Sequence, residues 1–321
     1  MPWPGRIWLF CCVLGTACAV RGPVLTGHAV ELDSTPYFPQ QAYQCGPAAA
    51  AAVLTAAGFT AAPESLAPEI YLPARRGSLQ LEIIAAARRR GAIPFVIDPG
   101  LQSLLAELRA GRPVLVLQNL GLSQVPAWHY AVVVGVDPAA DRFILRSGTN
   151  GRLEMAARTF MRTWEAGGEW GLVVLRPGDL PADPEPRRYL QAVAGLESTG
   201  HYGSAEAGYL AALARWPSEP VALLGLANAM FGLGRYAEAE STYRRLLTVE
   251  PEHVIARNNL AEALAAQGCH DEAIDILEKA AVEPSMTDRL RSLIGQTREE
   301  IAARARAGGP GRCRQPSAAT Q

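Results

Sequence analysis

The stretch Pro39-Gln40-Gln41-Ala42-Tyr43-Gln44-Cys45-Gly46-Pro47 says more about this 321-residue chain than any other segment. It leads into a run of small and apolar residues, Ala48 to Thr55, closed by Gly58. That pattern predicts a buried helix from Cys45 to Thr55 with a glycine stop. A cysteine on the first residue of such a helix sits among N–H groups that have no intrahelical partner. The macrodipole there also favours a thiolate. Gly46 removes side-chain bulk beside the thiol, so that a peptide backbone can approach. Pro47 is tolerated because first-turn N–H groups lack helical partners anyway. Gln40, five residues upstream, can bring an amide N–H₂ beside the Cys45 backbone N–H, giving two donors for an oxyanion.

A thiol nucleophile needs a base, and imidazole titrates in the useful range. Of the five histidines, His28 lies in a linker and His201, His253 and His270 lie in a C-terminal repeat region. Only His129, in Trp128-His129-Tyr130 at the start of an apolar strand, shares a predicted domain with Cys45. The bland readings are an inert buried thiol and a satisfied core histidine. Trp128 is read as a cleft wall or plain core, and Arg88 to Arg90 as a solvated helix end.

Around these residues the chain reads as α+β. Ser78 is expected to cap a helix from Leu79 to Arg90, ended by Gly91. A strand (Ile93 to Ile97), a helix (Gln102 to Ala110) and four further strands follow: Pro113 to Leu117, His129 to Val136, Arg142 to Arg146 and Trp170 to Leu175. Pro177 to Pro186, with four prolines and three acidic residues, reads as a linker.

Beyond it the sequence repeats. Gly200, Gly234 and Gly268 recur at a constant step, and Ala205, Ala239 and Ala273 keep it. Tyr202, Tyr236 and His270 follow it, as do Tyr209, Tyr243 and Leu277, and Pro217 is matched by Pro251. This is the tetratricopeptide pattern, with its period of about 34 residues: glycines turn between paired helices and alanines let the helices approach closely. The repeat tyrosines are packing residues. Met286 to Ala307 is expected to be a capping helix, and the tail from Gly308 onward to be disordered.

The first residues read as an export signal: Arg6 precedes the apolar run Ile7 to Leu14, then small residues to Ala17. The run is shorter than the ~20 residues that span a bilayer. Cleavage after Ala17 leaves Cys18 first, as at a bacterial lipoprotein site, although Gly15 stands where a large aliphatic is preferred. A soluble secreted form is the alternative. The expected layout is therefore signal 1–17, linker 18–33, α+β domain 34–176, linker 177–186, repeats with capping helix 187–307 and tail 308–321. A periplasmic protein, lipid-anchored through Cys18, follows.

The four cysteines then left fit neither a disulfide framework nor zinc-ligand spacing, so no metal or cofactor is expected. A net charge of −1 gives no reason to expect nucleic acid. Lys279 is the only lysine, which reads as coding bias, so no function is read into individual arginines.

A Gln, then Cys45-Gly46-Pro47-Ala48 opening a helix, and further along the chain His129-Tyr130 opening a strand that ends Gly135-Val136-Asp137, together resemble the bacteriocin-processing peptidase family. These are papain-like cysteine peptidases that cut leader peptides after a double glycine. Over residues 34–176 the resemblance implies a papain-like fold, with Cys45 as nucleophile, His129 as base and Gln40, or else Gln41, as the oxyanion-hole amide. The family orients its histidine with an Asp or Asn at the end of the next strand. Here that stretch is Leu145-Arg146-Ser147-Gly148-Thr149-Asn150, which aligns Ser147 with that position; Asn150, Asp137 and Asp141 stay open. The expected activity is hydrolysis of a peptide bond in a protein or peptide substrate, with the repeats recruiting that substrate or a protein partner. Two other readings stand beside it: a decayed peptidase fold that only binds, and an acyl or amide transferase using the same dyad. Without an exporter or nucleotide-binding motif, a double-glycine substrate does not follow.

Overall fold

The computed structural model describes residues 25–39, 44–281 and 286–308. The expected signal, Cys18, Gln40, Gln41 and residues 309–321 of the tail lie outside the described residues.

In chain order the first domain consists of β1 (Val30–Glu31), α1 (Cys45–Ala56), α2 (Pro63–Ile70), β2 (Tyr71–Leu72), β3 (Gly77–Ser78), α3 (Gln80–Arg88), β4 (Ile93–Val96), α4 (Leu101–Arg109), β5 (Val114–Asn119), β6 (Trp128–Asp137), β7 (Arg142–Ser147), β8 (Asn150–Ala156), α5 (Ala157–Glu165) and β9 (Gly171–Leu175). The strands form an antiparallel sheet in the order β4-β9-β5-β6-β7-β8, with β1 added to the far end of β6 through Val30↔Val136.

The period of two along a strand divides the core between two faces. On β5, Leu115 and Leu117 join α1, α2 and α3 through Val53, Leu66 and Ile83. Val114 and Val116 join α4 and α5 through Leu108, Phe160 and Trp164. Burial on both faces is why β5 and β6 read as near-continuous apolar runs. The alanines of α1 let that helix lie close against the sheet, with residues 46–54 all buried. Gly58 ends it in the left-handed region at φ 90°.

Ser78 does not cap α3. It lies in β3, Leu79 takes the N-cap position, and no side-chain cap is made. Six elements of this domain escape a reading of the sequence: the short strands β1, β2 and β3; α2, which carries Pro68 internally; α5; and β8, an edge strand without buried residues.

The second part is all helical: α6 (Pro186–Glu197), α7 (Tyr202–Arg215), α8 (Pro220–Gly232), α9 (Tyr236–Val249), α10 (Val254–Ala266), α11 (His270–Ala281) and α12 (Asp288–Gly308). Gly200, Gly234 and Gly268 turn between the paired helices at φ 75°, 75° and 84°. Ala205, Ala239 and Ala273 are fully buried at the helix crossings, and Tyr209, Tyr243 and Leu277 fill the core between them.

The two parts share one core, because α6 packs on the sheet-edge strand β4 and Tyr189, Val193 and Tyr209 extend the cluster that contains Ile93 and Phe95. Arg188 pairs with Asp98 and lies over the Phe95 ring at 5.5 Å. The proline-rich segment before α6 is tied down as well: Ala182 donates its N–H to Glu107 at 2.8 Å, and the Tyr189 hydroxyl donates to the Asp179 carbonyl at 3.0 Å.

Candidate active site

Cys45 is the first residue of α1, after Gln44 as N-cap. The first backbone bond of the helix runs from Ala48 N–H to the Gln44 carbonyl, so the Cys45 and Gly46 N–H groups have no intrahelical acceptor and Pro47 has no N–H. The thiol is half-buried and free. It stands close enough to Tyr130 that burial, and then the negative charge of Cys45, push the Tyr130 phenol upward from its ordinary value.

Gly46 has a reason the sequence does not reveal. A Cβ there would lie 2.3 Å from Ser78 Oγ and 2.6 Å from Ser78 Cβ. The space beside the Cys45 thiol is thus filled by β3, and glycine is required for that hairpin to pack against α1. Tyr130 fixes the same hairpin by donating its hydroxyl to the Ser78 carbonyl at 3.2 Å. The Ser78 hydroxyl itself is buried, with no hydrogen-bond partner among the described residues.

His129 is the second residue of β6, paired with Gln118 of β5. The register Val132↔Arg146 brings the end of β7 beside the start of β6. There His129 Nε2 meets Ser147 Oγ at 2.9 Å. With Nε2–H donating to this hydroxyl, Nδ1 carries the free lone pair. Among the described residues no carboxylate is bonded to the ring, and burial lowers the His129 pKa from its ordinary value by disfavouring the imidazolium. The other candidates lie elsewhere. Asn150 Oδ1 accepts the Arg152 N–H at 2.9 Å. Asp137 accepts from Ala140 N–H at 3.0 Å in the turn at the opposite end of β6, and Asp141 sits in that same turn. Eight residues of strand put that turn about 26 Å from His129.

Ser147 is held where it is by its hairpin. Gly148 turns the chain at φ 59°, and Tyr37 donates its hydroxyl to the Gly148 carbonyl at 3.1 Å. Arg146 holds the neighbouring strand end to the N-terminal segment through the Thr35 and Asp33 carbonyls.

Cys45 and His129 line one cleft of about 830 Å³. Among the described residues no hydrogen bond joins them. Gly167 forms part of the wall, and a Cβ there would lie 2.1 Å from the Leu117 carbonyl oxygen. Trp128 is an exposed cleft wall and not core. Sequence reasoning missed Ser78, Gly167 and the hairpin of residues 71–78, whose proximity to Cys45 is a product of tertiary packing.

Residues 32–170 match the family described as Peptidase_C39 like family, and residues 195–248 and 227–288 match the Tetratricopeptide repeat family. A structure described as a putative C39-like peptidase from Bacillus anthracis is similar at 16% identity, over 47% of this chain and 98% of that one, with a TM-score of 0.40. The peptidase domain of Streptococcus ComA, a bi-functional ABC transporter involved in quorum sensing, is similar at 18% identity, over 44% and 98%, with a TM-score of 0.36. The Sgt2 TPR domain from Aspergillus fumigatus is similar at 21% identity, over 43% and 92%, with a TM-score of 0.34. No curated protein matches the chain. The architecture is an α+β C39-like peptidase domain followed by an all-helical tetratricopeptide region.

Proposed function

We propose that the first domain is a cysteine peptidase in which Cys45 is the nucleophile and His129 the base. The observation that carries this reading is the cleft itself. It holds a free cysteine at a helix N-terminus and a histidine whose far nitrogen is engaged by Ser147. In the proposed reaction His129 Nδ1 takes the thiol proton, and sulfur attacks the carbonyl carbon. The oxyanion is held by the Cys45 N–H and the Gln40 side-chain amide. The imidazolium then protonates the departing amine. Water, deprotonated by the same ring, releases the acyl group and regenerates the thiol.

The helical repeats imply protein binding, and we assign them the recruitment of a protein substrate or partner. Export, with lipid on Cys18, belongs to the same proposal. It is supported by the sequence from Met1 to Cys18 and by the disulfide that Cys269 carries, a bond suited to an oxidising compartment. Radiolabelled fatty acid incorporated by wild type and not by Cys18→Ala is the expected result; equal labelling of both contradicts lipidation at that residue.

Hydrolysis of a mixed peptide library, read by mass spectrometry, tests the activity. Cleavage by wild type that disappears in Cys45→Ala and in His129→Ala supports it. Cleavage unchanged in Cys45→Ala sinks it. Among the described residues His129 is bonded to a hydroxyl and not to a carboxylate, and no hydrogen bond joins it to Cys45, which favours a second reading, a fold that binds peptides without cutting them. Retention of intact peptides by a Cys45 that no thiol probe labels would establish that reading.

A further inference from the structure

One buried oxygen on the strand beside His129 has nothing to bond. Gln118 of β5 is fully buried, and its Oε1 has no hydrogen-bond partner among the described residues. Such atoms are rare in folded proteins, because an unpaired carbonyl in a low-dielectric interior is unfavourable. The surrounding bonds fix which end of the amide is left over. The Thr163 hydroxyl donates its own hydrogen to the Phe160 carbonyl at 2.9 Å and the Thr159 carbonyl at 3.1 Å. Towards Gln118 it can therefore only accept, and Nε2 is the donor at 2.7 Å. Met155 Sδ, a weak acceptor, lies 3.9 Å from the same nitrogen. The nitrogen end is held, and the oxygen is unpaired.

By register, Gln118 lies directly across from His129. The two are a cross-strand pair of β5 and β6, and such partners project to the same face with Cβ atoms about 4.5–5.5 Å apart. The alternation along each strand agrees. Val114 and Val116 precede Gln118 on the face covered by α5, and Ala131 and Val133 follow His129 on that face. Ser147, bonded to His129 Nε2, shares the face with Leu145. The ring thus has Ser147 on one neighbouring strand and Gln118 on the other.

Charged groups face the ring from the cleft side. Besides His129, the titratable or charged residues lining the cleft are Cys45, Tyr130, Arg75 and Arg76. On the α5 side the charged residues of that helix, Arg158, Arg162 and Glu165, are exposed. Arg146 of β7 alternates to the opposite face with Ile144 and donates to the Gly151 carbonyl at 2.7 Å.

We propose that Gln118 is a positioning residue for His129, its fixed carbonyl dipole favouring the imidazolium form of the ring that Ser147 orients. The reading of His129 as the base underlies it. The amide oxygen carries partial negative charge in a water-excluded layer, where its field is weakly screened. That field offsets part of the burial that disfavours a protonated His129. The unpaired oxygen is then no packing defect. It is preorganised for a charge that exists only after the thiol proton has moved to the ring.

The test titrates His129 by NMR in the full chain carrying Cys45→Ala, so that no thiol at that position ionises against the ring. Gln118→Met keeps the shape and removes the oxygen, and the His129 pKa is expected to fall by about half a unit to one unit. Gln118→Glu puts a carboxylate in the same place, and the pKa is expected to rise. A merely structural disturbance has no reason to move the pKa in opposite directions. Should Gln118→Met not fold, the chain with Gln118 intact still decides: the Gln118 side-chain amide signals are expected to shift with the His129 midpoint. An unchanged or raised pKa in Gln118→Met, a fall in both variants, or Gln118 signals indifferent to the titration overturns the inference. Iodoacetamide modification of Cys45 in His129→Ala tests the base reading separately. A rate equal to wild type there removes that reading whatever the titration shows.

Discussion

Around Cys45 the protein is close-packed: α1 is buried along residues 46–54, and Ser78 occupies the space a side chain at Gly46 would need. Around His129 the contact that sets the geometry is polar: the ring, itself half-buried, is oriented by a single hydroxyl on the next strand. Cys45 is placed by what cannot move, the His129 ring by one exchangeable hydrogen bond. Substitutions on the first side should therefore act through the fold, and on the second through the chemistry.

Gly46→Ala is the sharpest way to break the packed side. Overpacking of this kind costs about 1–3 kcal/mol, and displacing β3 also moves the wall of the cleft. A lower Tm with loss of Cys45 reactivity is expected, and Ser78→Gly in the same chain should restore much of both, since its Cβ and Oγ are what the new methyl meets. Gly167→Ala should be as damaging without such a rescue, because the obstacle there is the backbone carbonyl of Leu117.

On the polar side Ser147→Asp should leave the Tm nearly unchanged and raise the His129 pKa, because a carboxylate at Nε2 stabilises the imidazolium. Histidine titration by NMR checks the direction; a pKa that does not rise would show the Ser147 contact to be incidental. Ser147→Ala removes one neutral hydrogen bond, worth about 1 kcal/mol, and should slow Cys45 alkylation by roughly fivefold or less.

The smallest expected effect is on stability against pH. Burial lowers the His129 pKa below the ordinary 6.5, so between the two titrations the unfolded chain binds the extra proton. Stability is then fully present above the ordinary value and declines as pH falls below it. The Tm difference between pH 7 and pH 5 should be smaller in His129→Gln than in wild type.

How much of this was legible in the sequence follows the same division. The repeats were open to reading because their contacts are local and recur: the Gly200, Gly234 and Gly268 turns and the buried alanines five residues beyond each lie in register. The start of α1 and the strand of His129 were legible for the same local reason. Ser147 could be aligned only through a family pattern, and its place beside the ring depends on the β6–β7 register. Ser78 misleads, because a serine before a helix looks like a cap while its actual place depends on a hairpin and on Gly46, in a different element. β8 exposes every second residue and buries none, so it left no apolar pattern to find.

The central claim is that His129 activates Cys45. The rate of Cys45 alkylation by iodoacetamide at neutral pH, in wild type and in a folded His129→Ala protein, tests it most directly. A general base of this kind is worth about 100-fold or more, and a loss of that order in the variant is the predicted result. Equal rates in the two proteins, with unchanged circular dichroism, would contradict it.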